Sequence, residues 1–370
     1  MSQLIETGLL AYGTSGRIFH APFLAAHPGF RLRAVVERHA KLAAKQHSGV
    51  VSYGGVEALL ADQYLELIIV NTPTATHFDF ACQALRAGKH VLVEKPVTLT
   101  AAQAQALHTL AQQEGRQVFA FQNRRYDADF LAVRRVLASG RLGRVFEATF
   151  RFDRYKPALS PKKFKEMPGP GAGLLHDLGP HVIDQVISLW GRPLRARKAL
   201  GSYRPKSLVD DYFNLELTYP DDLHVRIAGS LLVADPQPAF VMHGTLGSYQ
   251  QPRADGQESQ LLAGRSPADP DFDVLLPDSA GRLTCADERG ELQTTLEPAD
   301  RSNYLMLFED VYQSLRFGQP YPVSAEQVLW QSELLELPAT PATEAGRALG
   351  EAPHRLFERV NQEFSQLTKT

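Results

Sequence analysis

The chain has 370 residues, with 39 lysines and arginines against 41 aspartates and glutamates, and 44% of it is apolar. That length is enough for two or three domains with buried cores, and a net charge of −2 gives no support to nucleic-acid binding. Two cysteines, Cys82 and Cys285, are too few for a disulfide framework and suit a reducing compartment. No apolar run approaches the ~20 residues of a membrane-spanning helix. These features predict a cytoplasmic protein that binds neither nucleic acid nor membrane.

The first 125 residues alternate short apolar runs with segments of helical periodicity. The predicted strands are 5–11, 32–37, 67–71, 90–93 and 117–121, and the predicted helices are 16–26, 40–46, 56–61, 77–87 and 101–114. Apolar strands separated by helices are typical of a parallel sheet that is buried on both faces. We therefore predict an α/β Rossmann domain with a doubly wound parallel sheet over residues 1–125.

After residue 126 the pattern changes to strands that follow one another without intervening helices. A helix at 127–139 precedes an alternating strand at 144–153, and a loop rich in proline and glycine at 157–173 precedes a helix that ends near 190. Further strands lie between 195 and 242, residues 251–277 suggest a long surface excursion, and helices at 302–317 and 324–337 close the domain. We predict an α+β domain with a mostly antiparallel sheet over 126–337. Residues 338–370 form a tail, with a helix at 354–367, to which we assign no role.

The first strand-to-helix turn carries part of a dinucleotide-binding fingerprint. Gly13 suits close approach of a pyrophosphate and Gly16 suits close packing of the helix, although Ala11 stands where the fingerprint has its first glycine. The helix N-terminus offers free N–H groups to the phosphates. We predict that the dinucleotide contacts this turn through Gly13, Thr14, Ser15, Gly16 and Arg17.

An acidic residue, Glu37, ends the second predicted strand roughly 20 residues further on, as the fingerprint requires. A carboxylate in this position accepts hydrogen bonds from the hydroxyls of the adenosine ribose. The alternative is a solvated glutamate at a strand end. The upstream turn favours the ribose contact.

Polar residues follow the carboxyl ends of two further predicted strands. Because ligands of open parallel sheets bind beyond these ends, the residues there face the cofactor crevice. A lysine after a strand is usually solvated, but Lys95 is flanked by a glutamate and a proline that constrain its direction. The predicted cofactor-binding residues of these segments are Asn71, Thr72, Pro73, His77, Glu94, Lys95 and Pro96, and Arg38 and Asn123 complete the set.

A second cluster of reactive side chains lies on the predicted helix that ends near residue 190. Asp177 and His181 are spaced i,i+4 and share one face of the helix, and Asp184 continues the polar stripe. Such a stripe is ordinarily a solvated face, but the preceding glycines and prolines favour close approach to another domain. The chain has no H-E-x-x-H pattern and no G-x-S-x-G elbow, so a metal site and nucleophilic catalysis fit poorly.

Taken together, these motifs resemble those of the Gfo/Idh/MocA oxidoreductase family over about residues 1–337. The matching segments are AYGTSGRIFHAP (11–22), VNTPTATH (70–77), GKHVLVEKP (88–96), FQNRRYDADF (121–130) and GLLHDLGPHVIDQ (173–185). Further segments look most like the scyllo-inositol dehydrogenase branch, namely Asn123-Arg124-Arg125, Arg154-Tyr155-Lys156-Pro157, Asp211-Tyr212-Phe213 and Asp255-Gly256-Gln257. The resemblance implies hydride transfer between a secondary alcohol of a cyclitol or sugar and a nicotinamide dinucleotide.

The resemblance also implies roles for individual side chains. Lys95 would contact the reacting hydroxyl, His181 would take its proton as general base, and Asp177 would orient His181 or hold a neighbouring hydroxyl. The implied catalytic residues are therefore Lys95, Asp177 and His181, joined in substrate binding by Arg154, Tyr155 and Asp184, with no metal ion. The second sheet of this family typically forms the interface of a homo-oligomer, here a homodimer or homotetramer.

Departures from the family pattern bear on the cofactor and on the tail. Members of the branch that use NADP usually lack an acid after the second strand, whereas this chain has Glu37. Its carboxylate would repel a 2′-phosphate, although Arg38 and His39 would attract one, and the balance favours NAD over NADP. Ala11 opens the glycine turn slightly, and residues 338–370 do not follow the family pattern. A non-catalytic dinucleotide-binding regulator is the alternative function, but such proteins lose parts of the catalytic set, which is complete here.

Overall fold

Two β-sheets organise the part of the chain that the computed structural model describes, residues 4–39, 41–160, 166–275 and 277–340. The first sheet has six parallel strands: β1 (Ile5–Leu9), β2 (Phe30–Val36), β3 (Val51–Tyr53), β4 (Leu67–Val70), β5 (His90–Val93) and β6 (Val118–Ala120). Their order is β3-β2-β1-β4-β5-β6. The strand order reverses between β1 and β4, so a ligand crevice is expected beyond the carboxyl ends of these two strands.

The second sheet has eight strands: β7 (Val145–Asp153), β8 (Arg195–Gly201), β9 (Tyr212–Thr218), β10 (His224–Ser230), β11 (Phe240–Gly244), β12 (Gly247–Gln251), β13 (Gly281–Ala286) and β14 (Leu292–Glu297). Their order is β14-β13-β12-β11-β7-β10-β9-β8, and every pair is antiparallel except β7 with β10. The predicted fold class, a Rossmann sheet followed by a mostly antiparallel α+β sheet, is confirmed.

Helices cover both sheets. Those of the described residues are α1 (Ala21–Ala26), α2 (Ala43–Gln46), α3 (Val56–Leu60), α4 (His77–Arg86), α5 (Ala101–Gln113), α6 (Ala128–Ala138), α7 (Leu174–Trp190), α8 (Gln257–Leu262), α9 (Leu305–Phe317) and α10 (Ala325–Glu336). Helix α7 packs across β7, β9 and β10 of the second sheet. Within the described ranges, none of the helices is both long enough and apolar enough to span a membrane.

The two sheets differ in burial, as their sequences predict. All four residues of β4 are buried, because helices cover both faces of the first sheet. In β7, Ala148, Phe150 and Phe152 are buried, whereas the residues between them are partly exposed. This alternation is typical of a sheet with one face on a core.

Two local features near β1 and β2 differ from the prediction. The sequence does not predict β3, which has three residues and no fully buried side chain, so its apolar signal is weak. The predicted helix 16–26 begins with a wide turn at Gly16–His20, in which the Ala21 N–H donates to the Gly16 carbonyl, before α1 continues. This is one turn of π-helix, a form often found beside functional sites.

The segment 251–277 is only in part the surface excursion that its polar composition predicts, since residues 262–265 are exposed but others are buried. It contains α8, and Gln257, Leu261 and Phe272 are buried. Leu261 and Phe272 belong to the apolar cluster that also holds Phe23 of α1. Composition misleads here because two acidic residues of the segment are paired with a buried arginine, described below, rather than solvated.

The last two helices of the described chain connect the two sheets. Helix α9 packs on the first sheet, where Phe308 stacks on Phe23 with 5.7 Å between the ring centroids. Helix α10 packs against both α5 and α7. Its Gln331 accepts a hydrogen bond from Gln122 (3.1 Å) and donates one to the carbonyl of Pro180 in α7 (2.8 Å). The expected closure of the second domain by both helices is therefore only partly right, the domain boundary at 125/126 stays a prediction, and the predicted helix 354–367 lies outside the described residues.

Candidate active site

The turn that follows β1 leaves space at Gly13 and none at Gly16. A Cβ at position 13 would have no atom within 4 Å, whereas a Cβ at position 16 would lie 2.4 Å from the Ala11 carbonyl oxygen. Gly13 and Thr14 are exposed, and the Arg17 N–H donates to the Gly13 carbonyl (3.0 Å). The turn therefore has room for a phosphate group directly beside a helix N-terminus.

Asn71, which follows β4, fixes the glycine turn through the backbone of Ala11. Its Oδ1 accepts from the Ala11 N–H (3.0 Å) and its Nδ2 donates to the Ala11 carbonyl (2.8 Å). The buried ring of His77 contacts the carbonyls of Pro96 (2.8 Å) and Thr72 (2.9 Å). Burial lowers the pKa of His77, against the opposite effect of the two carbonyls. These side chains, predicted to bind the cofactor, thus hold the loops after β4 and β5 in place.

Glu94 connects the glycine turn to Lys95. Its Oε1 accepts from Ser15 Oγ (2.6 Å) and contacts His20 Nε2 (2.9 Å). Its Oε2 accepts from the Lys95 N–H (3.3 Å). Burial alone would raise the pKa of Glu94, but the contacts with His20 and Ser15 and the charge of Lys95 lower it to about 2. An ionised carboxylate therefore joins the ends of β1 and β5.

Glu37 is turned toward α2 and not toward the crevice. Its carboxylate accepts hydrogen bonds from the N–H groups of Leu42 (2.8 Å) and Ala43 (3.2 Å) and from Ser52 Oγ (2.7 Å). The residue is only 7% exposed, whereas Arg38 beside it is exposed. The glutamate predicted to bind ribose hydroxyls thus caps α2 and ties β2 to β3. The edge of the sheet presents a guanidinium to solvent at this point.

Glycines and Asp210 position the start of α7 against the first sheet. A Cβ at Gly171 (φ 76°) would lie 3.0 Å from Thr74, in the loop after β4, so the expected close approach of this segment to the other domain is confirmed. A Cβ at Gly173 (φ 87°) would lie 1.9 Å from Asp210 Oδ1. The Asp210 carboxylate accepts from the Leu175 N–H (2.7 Å) and satisfies a free donor of the helix N-terminus.

Helix α7 brings Asp177 and His181 to the carboxyl end of β5. Lys95 Nζ donates to the Asp177 carbonyl (2.6 Å) and lies 3.8 Å from Asp177 Oδ1. The peptide bond between Lys95 and Pro96 is cis. The Asp177 side chain is 43% exposed, and His181, one turn further, is buried. The structure thus places the three implied catalytic residues at one junction.

The imidazole of His181 is buried beside cationic side chains. Its Nδ1 has no hydrogen-bond partner among the described residues, and its ring centroid lies 6.3 Å from that of Phe152. Burial lowers the pKa of His181 well below its usual value, and four cations lower it further: Lys95, Arg124, Arg154 and Arg253. The ring is therefore neutral at neutral pH and keeps a lone pair that can accept a proton.

Asp184, predicted to bind substrate, lies in a buried ion pair. Arg125 donates from Nε to Asp184 Oδ2 and from Nη2 to Oδ1, both at 2.7 Å. Arg125 also donates to the Pro322 carbonyl (2.7 Å) and to Gln327 Oε1 (3.0 Å). Burial raises the pKa of Asp184, although Arg125 acts in the opposite direction. Its carboxylate thus joins the turn after β6 to α7, and both oxygens are committed to Arg125.

A second buried arginine, Arg124, gathers acidic residues that the sequence analysis does not assign to the site. It contacts Asp127 (3.0 Å), Asp255 (3.3 Å) and Glu258. Burial raises the pKa of Asp127 to about 8, against the lowering effect of Arg124. Two adjacent arginines beyond the carboxyl end of β6 are the sequence signal that could have identified this cluster.

The other predicted site residues lie at the ends of β4, β6 and β7. The guanidinium carbon of Arg154 lies 5.3 Å from the centroid of the Phe152 ring, and Tyr155 is 60% exposed. Asn123 is buried in the turn after β6, and Thr72 and Pro73 follow Asn71. In the part of the chain that the structure describes, no group of three or more histidines, cysteines and acids could hold a metal ion.

Comparisons with known proteins agree with this architecture. Residues 5–122 match an oxidoreductase family with an NAD-binding Rossmann fold, and residues 130–250 match the GFO/IDH/MocA C-terminal domain. The uncharacterized oxidoreductase YdgJ of Escherichia coli is 35% identical over 337 residues, which cover 91% of this chain and 96% of YdgJ. The scyllo-inositol 2-dehydrogenase (NADP(+)) IolW of Bacillus subtilis is 31% identical over 324 residues, 87% of this chain and 89% of IolW.

Solved structures show the same fold. The crystal structure of an oxidoreductase from Bacillus cereus has a TM-score of 0.84 and 30% identity, over 91% of this chain and 97% of that one. The first matched region spans β1 to β6, and the second begins in α6 and reaches β12, so the matches include the whole first sheet and six of the eight strands of the second. The chain therefore belongs to the Gfo/Idh/MocA oxidoreductase family.

Proposed function

We propose that this protein is an NAD(P)-dependent dehydrogenase that transfers a hydride between a secondary alcohol of a cyclitol or sugar and the nicotinamide. The observation that carries the proposal is the contact of Lys95 Nζ with Asp177 beside a buried, neutral His181, at the carboxyl end of the first sheet. The name of IolW, a scyllo-inositol dehydrogenase, supports the substrate class.

The turn after β1 fits the diphosphate of a dinucleotide. The open space over Gly13 admits a phosphate to the backbone, and the helix N-terminus supplies N–H donors and a positive dipole. Asn71 and Glu94 hold this turn against the ends of β4 and β5. A bound nicotinamide supplies the hydride acceptor, which the chain's own side chains lack.

In the proposed reaction His181 accepts the proton of the substrate hydroxyl, while a hydride passes from the carbon that bears this hydroxyl to the nicotinamide. The alcohol thereby becomes a carbonyl. A general base acts over about 2.6–3.2 Å, and the lowered pKa of His181 keeps it unprotonated before reaction. Lys95 stabilises the developing alkoxide with its positive charge. Asp177 positions the Lys95 ammonium through its backbone carbonyl. In the reverse direction the same groups reduce a keto-sugar.

The geometry around Glu37 favours NADP and reverses the preference for NAD that the sequence suggests. The Glu37 carboxylate is occupied by three donors of its own chain, so it is poorly placed to accept ribose hydroxyls. Arg38 is exposed at the same edge and is the residue that would attract that phosphate. The cofactor named for IolW is also NADP.

We also propose a cytoplasmic homodimer or homotetramer that assembles through the second sheet. Helix α7 covers one face of this sheet, and on the opposite face of β7 Glu147 is exposed while Thr149 and Arg151 are partly exposed. The two cysteines are unpaired, as a reducing compartment requires. Light scattering of the purified protein measures the oligomeric state, and a monomer at micromolar concentration would contradict the assembly.

The test of the function is a matrix of inositols and aldoses against NAD and NADP, followed at the nicotinamide absorbance. We expect turnover of at least one polyol with a preference for NADP, and we expect Arg38→Ser to weaken that preference. Lys95→Ala and His181→Asn should lower kcat by about 10²–10⁴ while the Kd for cofactor changes little. Cofactor binding without oxidation of any polyol would instead support the non-catalytic regulator, and wild-type turnover in either variant would exclude these roles.

A further inference from the structure

Three guanidinium groups lie around one aromatic ring beside His181. The guanidinium carbons of Arg253, Arg124 and Arg154 are 4.5, 5.0 and 5.3 Å from the centroid of Phe152. The ring attracts each cation, but cations at this spacing repel one another. Such an arrangement needs anionic partners.

Two of the three guanidinium groups have such partners within the protein. Arg124 contacts Asp127, Asp255 and Glu258. Arg253 donates to Asp129 (3.3 Å) and to the Arg151 carbonyl (2.7 Å). These two side chains are therefore neutralised locally.

Arg154 differs from both. Within the described ranges, its guanidinium makes no hydrogen bond and no ion pair. Glu258 is within electrostatic reach of Arg154, which helps to lower the pKa of that carboxyl, but the Glu258 carboxylate bonds to Arg124. The Arg154 backbone is fixed, since its N–H donates to Ser230 (2.8 Å) and its carbonyl accepts from Val233 (3.2 Å). Arg154 is thus a positioned, partly exposed cation whose charge acts on His181.

We propose that Arg154 binds an anionic group of the substrate, so that the preferred polyol carries a carboxylate or a phosphate. The inference rests on the proposed dehydrogenase function and narrows its substrate class. A guanidinium donates two parallel hydrogen bonds to either group, and such charge-assisted bonds are stronger than those to a neutral hydroxyl. The anion would also relieve the repulsion among the three arginines. The polyol hydroxyl to be oxidised would then lie between Arg154 and Lys95, next to His181.

The experiment compares matched pairs of polyols: glucuronate with glucose, galacturonate with galactose, and inositol monophosphate with inositol. Binding to the protein saturated with oxidised cofactor is measured by calorimetry, and kcat/KM is measured for every member that is turned over. The variants are Arg154→Gln and Arg154→Lys, with Arg86→Gln as a control that removes one charge from the exposed end of α4. Thermal melting verifies that each variant is folded.

We expect at least one anionic member to bind more tightly than its neutral counterpart by about tenfold or more. Arg154→Gln should abolish this difference, Arg154→Lys should retain part of it, and Arg86→Gln should leave it unchanged. The inference is overturned if Arg154→Gln loses equal affinity for the neutral and the anionic members, or if the wild type does not prefer any anionic member to its neutral counterpart. Turnover of neutral polyols alone leaves the dehydrogenase function intact and rejects the anionic substrate. Arg154-dependent binding of anions without any turnover rejects the function and retains the anion site.

Discussion

The candidate site has a cofactor half, around the glycine turn after β1, and a substrate half, around His181. The two halves hold their side chains by different means. Around the glycine turn, Asn71 bonds to the backbone of Ala11, and Glu94 bonds to the side chains of Ser15 and His20 and to the N–H of Lys95. Around His181 the contacts are between full charges, such as Arg125 with Asp184 and Arg124 with Glu258. The first half depends on backbone geometry, and the second depends on buried charge.

This difference determines what each half tolerates. Replacing a side chain that bonds only to backbone groups lowers the free energy of unfolding by a moderate amount. Removing one member of a buried ion pair leaves the other charged and desolvated, which is more destabilising. We therefore expect mutations in the substrate half to affect stability most strongly.

The largest effect is expected for Asp184→Asn. The substitution leaves Arg125 buried without its carboxylate and should lower the free energy of unfolding by about 3–5 kcal/mol. Urea denaturation at pH 7 measures the change. The double variant Arg125→Met/Asp184→Leu should recover much of the loss, because it removes both charges. A loss below about 1 kcal/mol in Asp184→Asn would show that the pair behaves like an exposed ion pair.

A smaller, pH-dependent effect is expected for Glu94→Gln. Because the pKa of Glu94 falls from 4.5 to about 2 on folding, the ionised carboxylate stabilises the protein above pH 4.5, and this contribution disappears as the pH falls toward 2. The variant should lose up to about 3 kcal/mol near pH 7 and progressively less toward pH 3. Thermal melting across this range is the measurement, with the exposed Glu114→Gln as control. A difference that does not depend on pH would contradict the assignment.

The smallest effects on stability are expected at the two glycines of the turn after β1, and the effect should differ between Gly16 and Gly13. Gly16→Ala puts a Cβ against the Ala11 carbonyl and should cost about 1–3 kcal/mol. Gly13→Ala meets no protein atom, so its stability should stay within about 0.5 kcal/mol of the wild type. Because a methyl group at position 13 occupies the space proposed for the phosphate, the Kd of the Gly13→Ala variant for dinucleotide should rise. Unchanged cofactor binding by a folded Gly13→Ala would exclude this turn as the phosphate site.

The sequence predicts the parts of the site that depend on local pattern. Lys95 follows an apolar strand, so its place at the carboxyl end of the first sheet follows from the doubly wound topology. The i,i+4 spacing of Asp177 and His181 gives them one helix face, but their meeting with Lys95 is implied only by the family resemblance. The sequence does not predict that Glu37 caps α2, because this depends on amides five and six residues away and on Ser52 across a strand pair. It also does not predict the pairing of Asp184 with Arg125, which are 59 residues apart. Long-range partners leave no periodic signal.

The position of α10 has a consequence for motion. Through Gln331, one amide side chain reaches both Gln122 at the edge of the first sheet and Pro180 in α7. A rotation that opened the crevice between the sheets would have to break one of these two buried bonds. Each of these bonds is worth about 1 kcal/mol, so Gln331 favours the arrangement of the two sheets described above over a more open one.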